Sequence, residues 1–181
     1  MSGKFKMFTA FAAAVMLAGL MSVTASAGTR GTLYVFYSAP FQDYMYTASE
    51  SEKRTLEEHY YTGIETYQYI GTAGTVMTSY EPNAIPVYRF WNETTRDHFY
   101  TADKDEKEQV ESNYYSGKDD YVYEGIAFYA SGFAGVPVYR FFDPVNFNHY
   151  YTNDFEEKAY LCDMARTGNT LFQYEKVAWY Q

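Results

Sequence analysis

Cysteine and basic residues are scarce in this chain of 181 residues. Cys162 is the only cysteine, so the chain cannot form an intrachain disulfide. Its 14 lysines and arginines face 23 acidic residues, which leaves a formal net charge of −9. Nucleic acids and other polyanions bind proteins through clustered basic side chains that release counterions. The composition therefore argues against nucleic acid as a partner.

Sequence motifs of catalysis are also missing. The chain contains no GxSxG or HExxH motif, no phosphate-binding GxxxxGK loop and no paired cysteines. Two carboxylates can serve a glycosidase, but 23 acidic residues offer too many such pairs for any one of them to be informative. We therefore predict no catalytic residue, no cofactor and no metal site, and a hydrolase is the weakest alternative function.

Long apolar runs are confined to the N-terminus, where one covers residues 7–21. Two lysines precede this run, and the small residues of an Ala-Ser-Ala sequence follow it at positions 25–27. This order is typical of a secretory signal, and the run is too short to span a bilayer comfortably. We predict that residues 1–27 are a signal peptide. Residues 28–181 would then be one secreted domain, free in the medium, in the periplasm or at the cell surface, without membrane contact after cleavage.

Internal repetition is the most informative feature of the remaining chain. The sequence PVYRF at residues 86–90 returns at residues 137–141, and its last four residues return more distantly as LYVF at residues 33–36. A second motif follows each copy, in the forms DHFYT, NHYYT and DYMYT. A unit of about fifty residues therefore occurs three times. The three repeats span residues 31–80, 85–131 and 136–181.

Each repeat is predicted to form two strands, a short helix and a last strand. Alternation in the first strand places Tyr88 and Phe90 on one face, and we predict that this face lies in the core. Asp103 and Glu106 have the spacing of a capping box, in which each side chain accepts a backbone N–H of the helix start. The helix is predicted to stop before Gly117, where a positive φ is easily adopted.

The number of repeats favours a closed fold, because an open solenoid requires atypical polar repeats at its ends. In the last strand Gly125 predicts a β-bulge that divides the strand in two, which would give four strands per repeat. We therefore predict a mainly β fold with one short helix per repeat, closed with pseudo-threefold symmetry and β-trefoil-like. The helices fit a trefoil less well, so an α+β fold of three ββαβ repeats is the alternative.

One pair of positions changes together among the repeats. Repeats two and three carry an arginine in the first strand and a glutamate in the last strand, and repeat one carries an apolar residue at both positions. The pairs are Arg89 with Glu124, Arg140 with Glu175, and Val35 with Ile70. This exchange predicts structural ion pairs between the first and last strands of a repeat.

The PVYRF, DHFYT and YEGIAFY motifs resemble a Tyr-rich repeat family of secreted microbial proteins with no assigned function. Members of that family are often attached to cell-wall hydrolases and other exported enzymes. The resemblance covers nearly all of residues 28–181. It implies a surface-acting accessory or binding module, and it implies no reaction.

Aromatic residues are in excess, with 22 tyrosines, 14 phenylalanines and two tryptophans. Aromatic faces beside Asp, Asn and His suit sugars, because C–H surfaces stack on rings and hydroxyls need directional partners. The predicted ligand contacts flank the first hairpins of repeats two and three: Trp91, Asp97, His98, Tyr100, Phe142, Asn148, His149 and Tyr151. We predict a non-catalytic module that binds carbohydrate, such as a cell-wall glycan or another cell-surface polymer. A secreted protein-interaction or inhibitory module is the alternative.

Overall fold

The computed structural model describes residues 29–132 and 135–181. The predicted signal peptide, residues 1–27, lies outside the described residues. The strands are β1 (Arg30–Ser38), β2 (Asp43–Thr47), β3 (Tyr67–Met77), β4 (Ala84–Asn92), β5 (Asp97–Thr101), β6 (Tyr121–Ser131), β7 (Pro137–Asp143), β8 (Asn148–Thr152) and β9 (Gln173–Tyr180). The helices are α1 (Glu50–Tyr61), α2 (Lys104–Tyr115) and α3 (Phe155–Arg166). The order strand, strand, helix, strand therefore occurs three times.

The strands form two antiparallel sheets rather than one closed surface. In every repeat the first strand lies between its hairpin partner and the last strand of the same repeat. Repeats one and two share a six-stranded sheet of order β2-β1-β3-β6-β4-β5, joined by the pairing of Met77 with Tyr129. Repeat three forms the sheet β8-β7-β9. The mainly β fold with one helix per repeat is confirmed, but no closed barrel forms among the described residues, so a β-trefoil-like assembly is not confirmed.

The last strand of repeat two contains the predicted bulge but is not divided by it. The pairing shifts register between Arg89 and Phe90, so that Glu124 is the extra residue of β6. The next residue, Gly125, has a φ of 123°, a conformation that strains any residue with a Cβ atom. β6 nevertheless continues unbroken to Ser131. The prediction of two separate strands was wrong because the bulge absorbs the irregularity locally.

The helix caps differ from the predicted capping box in one half. The side chain of Asp103 accepts the backbone N–H of Glu106 at 3.2 Å, as predicted. The N–H of Asp103 itself donates to the hydroxyl of Thr101 at 3.0 Å and not to the glutamate. Repeats one and three have the same arrangement. This threonine leaves the cap glutamate free to bind elsewhere.

The two faces of the first strand pack against different partners. Val87 is fully buried in the main core, where all three repeats meet. On the opposite face, Tyr88 and Phe90 pack against Tyr123, beneath the Lys107 ammonium of α2. The prediction that this face lies in the core is confirmed for Phe90, which is fully buried, but the face lies outside the main core. It is a satellite layer that seats the helix of its own repeat.

Three tyrosines mark the centre of the molecule. The rings of Tyr46, Tyr100 and Tyr151 form a nearly equilateral triangle, with centroids 5.5 to 5.6 Å apart. Their hydrogen bonds run in a cycle. The Tyr100 hydroxyl donates to the carbonyl of Tyr46, that of Tyr151 to Tyr100, and that of Tyr46 to Tyr151. Each repeat thereby binds the hairpin of the one before it, and repeat one binds repeat three.

Candidate functional site

The polar groups of the fold collect where one repeat meets the next. We call the contact of repeats one and two the first junction, that of repeats two and three the second junction, and that of repeats three and one the third junction. At the first junction Arg89 donates to both carboxylate oxygens of Glu52, at 3.0 and 3.1 Å. Its Nε lies 2.7 Å from Oε2 of Glu124. The arginine thus bridges the cap glutamate of repeat one and the bulge glutamate of its own repeat.

The second junction repeats this arrangement. Arg140 donates to Glu106 at 2.8 and 3.0 Å and to Glu175 at 2.6 Å. Sequence comparison within a repeat pointed to the pairs with Glu124 and Glu175, and both contacts are present. It missed Glu52 and Glu106, because these glutamates belong to the preceding repeat.

The arginines keep these carboxylates ionised. Burial alone would raise the pKa of Glu52, but hydrogen bonds and the charge of Arg89 outweigh burial and leave that pKa below its ordinary value. The same competition at the second junction lowers the pKa of Glu106 to about 2, with Arg140, Thr101 and Lys176 as its donors. At the first and second junctions an arginine from the next repeat therefore keeps the cap glutamate ionised.

A second buried cluster lies beside each arginine. At the first junction Nδ1 of His98 is 2.6 Å from Oδ2 of Asp43, which also accepts the hydroxyl of Tyr67 at 2.6 Å. Oδ1 of Asp43 accepts the backbone N–H of His98. Asp43 is fully buried and the His98 side chain is 8% exposed. Both oxygens of the carboxylate are thus used in holding the histidine.

The same cluster at the second junction corrects the predicted grouping of site residues. Asp97, which we had placed beside His98, instead binds Nδ1 of His149 at 2.6 Å and receives the hydroxyl of Tyr121. The aspartate always comes from the repeat before the histidine. Tyr100 and Tyr151 were also predicted as ligand contacts, but both are buried in the central triangle, with their hydroxyls bonded to backbone.

The third junction has lost this polar network. The aspartate is replaced by Asn148, the histidine by Tyr44, the phenol by Phe172, the arginine by Val35 and the bulge glutamate by Ile70. Among the described residues, Oδ1 of Asn148 is buried without a hydrogen-bond partner. The retained cap glutamate, Glu157, accepts the hydroxyl of Tyr150 at 2.8 Å. Two junctions are therefore charged, and the third is largely apolar.

Each histidine supports an aromatic ring at the surface. The half-buried ring of Trp91 lies over His98 with a centroid distance of 4.5 Å, and its indole N–H donates to Glu93 at 2.8 Å. At the second junction Phe142 lies 5.2 Å from His149. Of the predicted contacts, Trp91 and Phe142 are thus the ones that offer a partly exposed aromatic ring. The histidines and aspartates behind these two rings determine where the rings lie.

A cleft of about 120 Å³ opens at the first junction. Its wall includes Ser49 and Glu52 at the start of α1, Arg89 on β4, and Glu124 with Ile126 on β6. Arg89 and Trp91 are two residues apart on β4 and so point to the same side of the strand. The indole of Trp91 therefore lies on the same side of β4 as the arginine that lines the cleft, although Trp91 is not part of the cleft wall.

The equivalent space at the second junction is occupied by the protein itself. Lys176 stands where repeat two has Gly125. Its ammonium lies 3.1 Å from Oδ2 of Asp103 and 3.1 Å from Oε2 of Glu106. A lysine side chain therefore covers the cap glutamate Glu106, whereas its counterpart Glu52 lines an open cleft.

The part of the chain that the structure describes contains neither a metal-binding cluster nor a membrane-spanning helix. No cluster of three or more His, Cys, Asp or Glu side chains there has a geometry that would hold a metal ion. None of the helices in residues 29–132 and 135–181 has the length and apolar character needed to cross a bilayer.

One protein family model, described as Domain of unknown function (DUF5648), matches the chain twice, over residues 18–117 and residues 62–181. The two matches overlap and together extend over all three repeats, as expected for a family with an internal repeat. No curated protein and no solved structure matches the chain.

Proposed function

The chain belongs to the DUF5648 family of domains of unknown function, and we propose that it is a non-catalytic module that binds carbohydrate at the first junction. The site consists of the cleft beside Arg89 and the adjacent indole of Trp91. The observation that carries this proposal is an open, charged cleft whose arginine lies two residues from a positioned aromatic ring on the same side of β4.

This combination matches the surface chemistry of a sugar. A pyranose has C–H faces that pack on an aromatic ring and hydroxyl groups at its edge that require hydrogen-bond partners. The indole of Trp91 offers the ring, and packing against His98 together with a hydrogen bond to Glu93 restricts its orientation. Glu52 and Glu124 offer carboxylate acceptors in the cleft wall, which make stronger hydrogen bonds than neutral groups.

The size of the cleft indicates how much of a ligand it takes. Pockets that enclose a whole small molecule usually measure about 300–1,000 Å³. A cleft of about 120 Å³ holds a single substituent of a larger ligand. The remainder of that ligand must lie along the surface, as a glycan chain does.

The proposal assigns one binding site to each chain, although the repeats occur three times. At the second junction Phe142 offers a ring, but Lys176 fills the neighbouring space. The third junction has Val35 and Ile70 in place of the arginine and the bulge glutamate. The three repeats thus provide the scaffold, and the first junction provides the contact.

Export and a role at the cell surface belong to the same proposal. Residues 1–27 have the sequence order of a secretory signal. A net charge of −9 disfavours polyanionic wall polymers, so a neutral or cationic glycan is the expected ligand. Detection of the protein in the culture medium or on the cell surface, with its N-terminus near residue 28, tests this part.

A glycan array followed by isothermal titration tests the binding site. We expect enrichment of one class of glycan, and Trp91→Ala should weaken its binding by about two- to tenfold, since stacking on one aromatic ring is worth roughly 0.5–1.5 kcal/mol. Phe142→Ala is the matched control, because it removes the equivalent ring beside the filled space. Failure of every glycan to bind, or equal affinity in wild type and Trp91→Ala, would contradict the proposal.

A protein-interaction module is the second candidate, and a different surface favours it. α1 and α2 both end in adjacent tyrosines, of which Tyr61 and Tyr115 are 84% and 83% exposed. Exposed tyrosines are frequent energetic centres of protein interfaces. If Tyr61→Ser with Tyr115→Ser abolished capture of a protein from culture medium, and no glycan bound the wild type, this candidate would replace the first.

A further inference from the structure

We infer that the group bound in the first-junction cleft is a primary ammonium, carried by a glycan that contains sugars with a free amino group. This inference rests on the proposed function and specifies its ligand. It comes from a comparison of two equivalent places in one molecule, one open and one filled by the chain itself.

The second junction, which the chain itself fills, shows which chemical group these surrounding residues bind. At the second junction Lys176 inserts a primary ammonium between the cap residue Asp103 and the cap glutamate Glu106, at 3.1 Å from each. The corresponding residues of the first junction are Ser49 and Glu52, and both line the open cleft. An ammonium is therefore the group that this arrangement of strand, bulge and helix start binds when one is within reach.

The open place differs from the filled one in two residues, because it has no lysine and has Ser49 in place of Asp103. Gly125 occupies the position of Lys176, and a Cβ atom added to Gly125 would meet nothing within 4 Å. The glutamate before it, Glu124, faces Arg89 just as Glu175 faces Arg140. The absence of a side chain at residue 125 thus leaves room for an ammonium that arrives with a ligand.

The charges at the cleft favour a cation and disfavour an anion. Two carboxylates, Glu52 and Glu124, face the single guanidinium of Arg89, which leaves one negative charge in excess. An ammonium neutralises this charge and donates up to three hydrogen bonds. A carboxylate or phosphate on the ligand would meet repulsion instead. Because Ser49 replaces the acidic Asp103, the cleft holds a cation less tightly than the second junction holds Lys176, as a reversible site requires.

The neighbouring indole favours an amino sugar over a lysine side chain as the source of the ammonium. Arg89 and Trp91 are two residues apart on one strand, a separation of about 6.6 Å. One sugar of a glycan can place its amino group in the cleft while an adjacent ring lies on the indole. A lysine side chain would fill the cleft without any need for Trp91.

Titration calorimetry with defined oligomers tests the inference. The probes are hexamers of glucosamine, of N-acetylglucosamine and of glucose, together with a tetralysine peptide. We expect the glucosamine hexamer to bind about fivefold more tightly than the acetylated and neutral hexamers, the size of one partly exposed ion pair. Trp91→Ala should weaken the glucosamine hexamer and leave tetralysine unaffected.

Three variants locate the ammonium. Gly125→Lys should fill the cleft from within and remove the preference for glucosamine. Gly71→Lys is the matched control, since Gly71 holds the same position in repeat one, also has a positive φ, and also has open space around its Cβ. Lys176→Gly should open the second junction and change the stoichiometry from one to two glucosamine hexamers per chain. This last variant keeps the test decisive if the strained Gly125→Lys fails to fold.

The outcomes separate the inference from the function on which it rests. Equal binding of the glucosamine and N-acetylglucosamine hexamers would refute the claim that the cleft binds an ammonium, and it would leave the proposal of carbohydrate binding intact. If tetralysine bound and no hexamer did, the claim that a glycan carries the ammonium would be refuted. No binding of any hexamer or peptide would refute the proposed function as well. A stoichiometry of one in Lys176→Gly would overturn the equivalence of the two junctions.

Discussion

Replacing Arg89 with alanine removes the one cation that separates Glu52 from Glu124. At an effective dielectric constant of 20, each contact is worth about 4 kcal/mol of Coulomb attraction, and the variant loses both while the two glutamates still repel each other. The unfolded chain, in contrast, loses nothing. Arg89 is 16% exposed and its partners are 30% and 32% exposed, so water screens part of this energy. The variant also avoids the free-energy cost of removing the guanidinium from water on folding, which offsets part of the loss.

These opposing contributions leave a net loss of about 3 kcal/mol for Arg89→Ala, toward the low end for a broken buried ion pair. For a domain of about 150 residues this lowers the melting temperature by roughly 6–12 °C. Thermal and urea denaturation followed by circular dichroism measure it. The third junction supplies the rescue, because Val35 and Ile70 stand there in place of the charges. Arg89→Val with Glu124→Ile should recover part of the loss.

The unrecovered part belongs to Glu52, which remains without its cation in the double variant. Adding Glu52→Gln removes that charge, and the triple variant should return to within about 1 kcal/mol of the wild type. A loss below about 1 kcal/mol in Arg89→Ala would show that the ion pairs hold little stability. If the triple variant were as unstable as the three single variants added together, the three residues would not act as one unit.

Three further predictions follow from the junctions and the central triangle. The pKa of Glu106 falls from 4.5 to about 2 on folding, so the stability that its charge contributes should be complete above pH 4.5 and should disappear as the pH falls toward 2. Between these pH values the melting temperature should change less with pH in Glu106→Gln than in the wild type. The Tyr100 hydroxyl bonds both the N–H and the carbonyl of Tyr46, so Tyr100→Phe should cost about 2–4 kcal/mol in urea denaturation, more than Tyr46→Phe, whose hydroxyl reaches one carbonyl. Asn148→Asp alone should destabilise by several kcal/mol because it buries an unpaired carboxylate, and melting curves should show recovery when Tyr44→His is added.

Sequence patterns predicted the elements of a repeat better than the contacts between repeats. Alternation, cap residues and glycines are local signals, and the order of strand, strand, helix and strand follows from them. The pairing of Arg89 with Glu124 was visible because both charges disappear together in repeat one. Glu52 gave no such signal, since the cap glutamate is kept in all three repeats even where its arginine is lost. A residue that does not vary cannot reveal its partner by covariation.

The aspartate and histidine pairs did carry a signal, but with an offset of one repeat. Asn148 and Tyr44 are the exceptions among the aspartates and histidines, and they lie in different repeats. Aligning each repeat with its successor, rather than with itself, would have joined them. The open cleft was not predictable from patterning, because it depends on a single missing side chain at Gly125 and on where the helix start of another repeat lies.

The cycle of tyrosine hydroxyls has a consequence for how the chain can evolve and be cut. In repeat arrays that stack in a line, a shortened chain is a smaller protein that still folds. Here the second strand of each repeat accepts a hydrogen bond from a tyrosine hydroxyl of another repeat, and one of these bonds links repeat one to repeat three. A chain with two repeats would leave backbone groups at its centre without partners, and a lone repeat would leave more. Gene duplication can therefore copy a single repeat, whereas only the set of three repeats can fold.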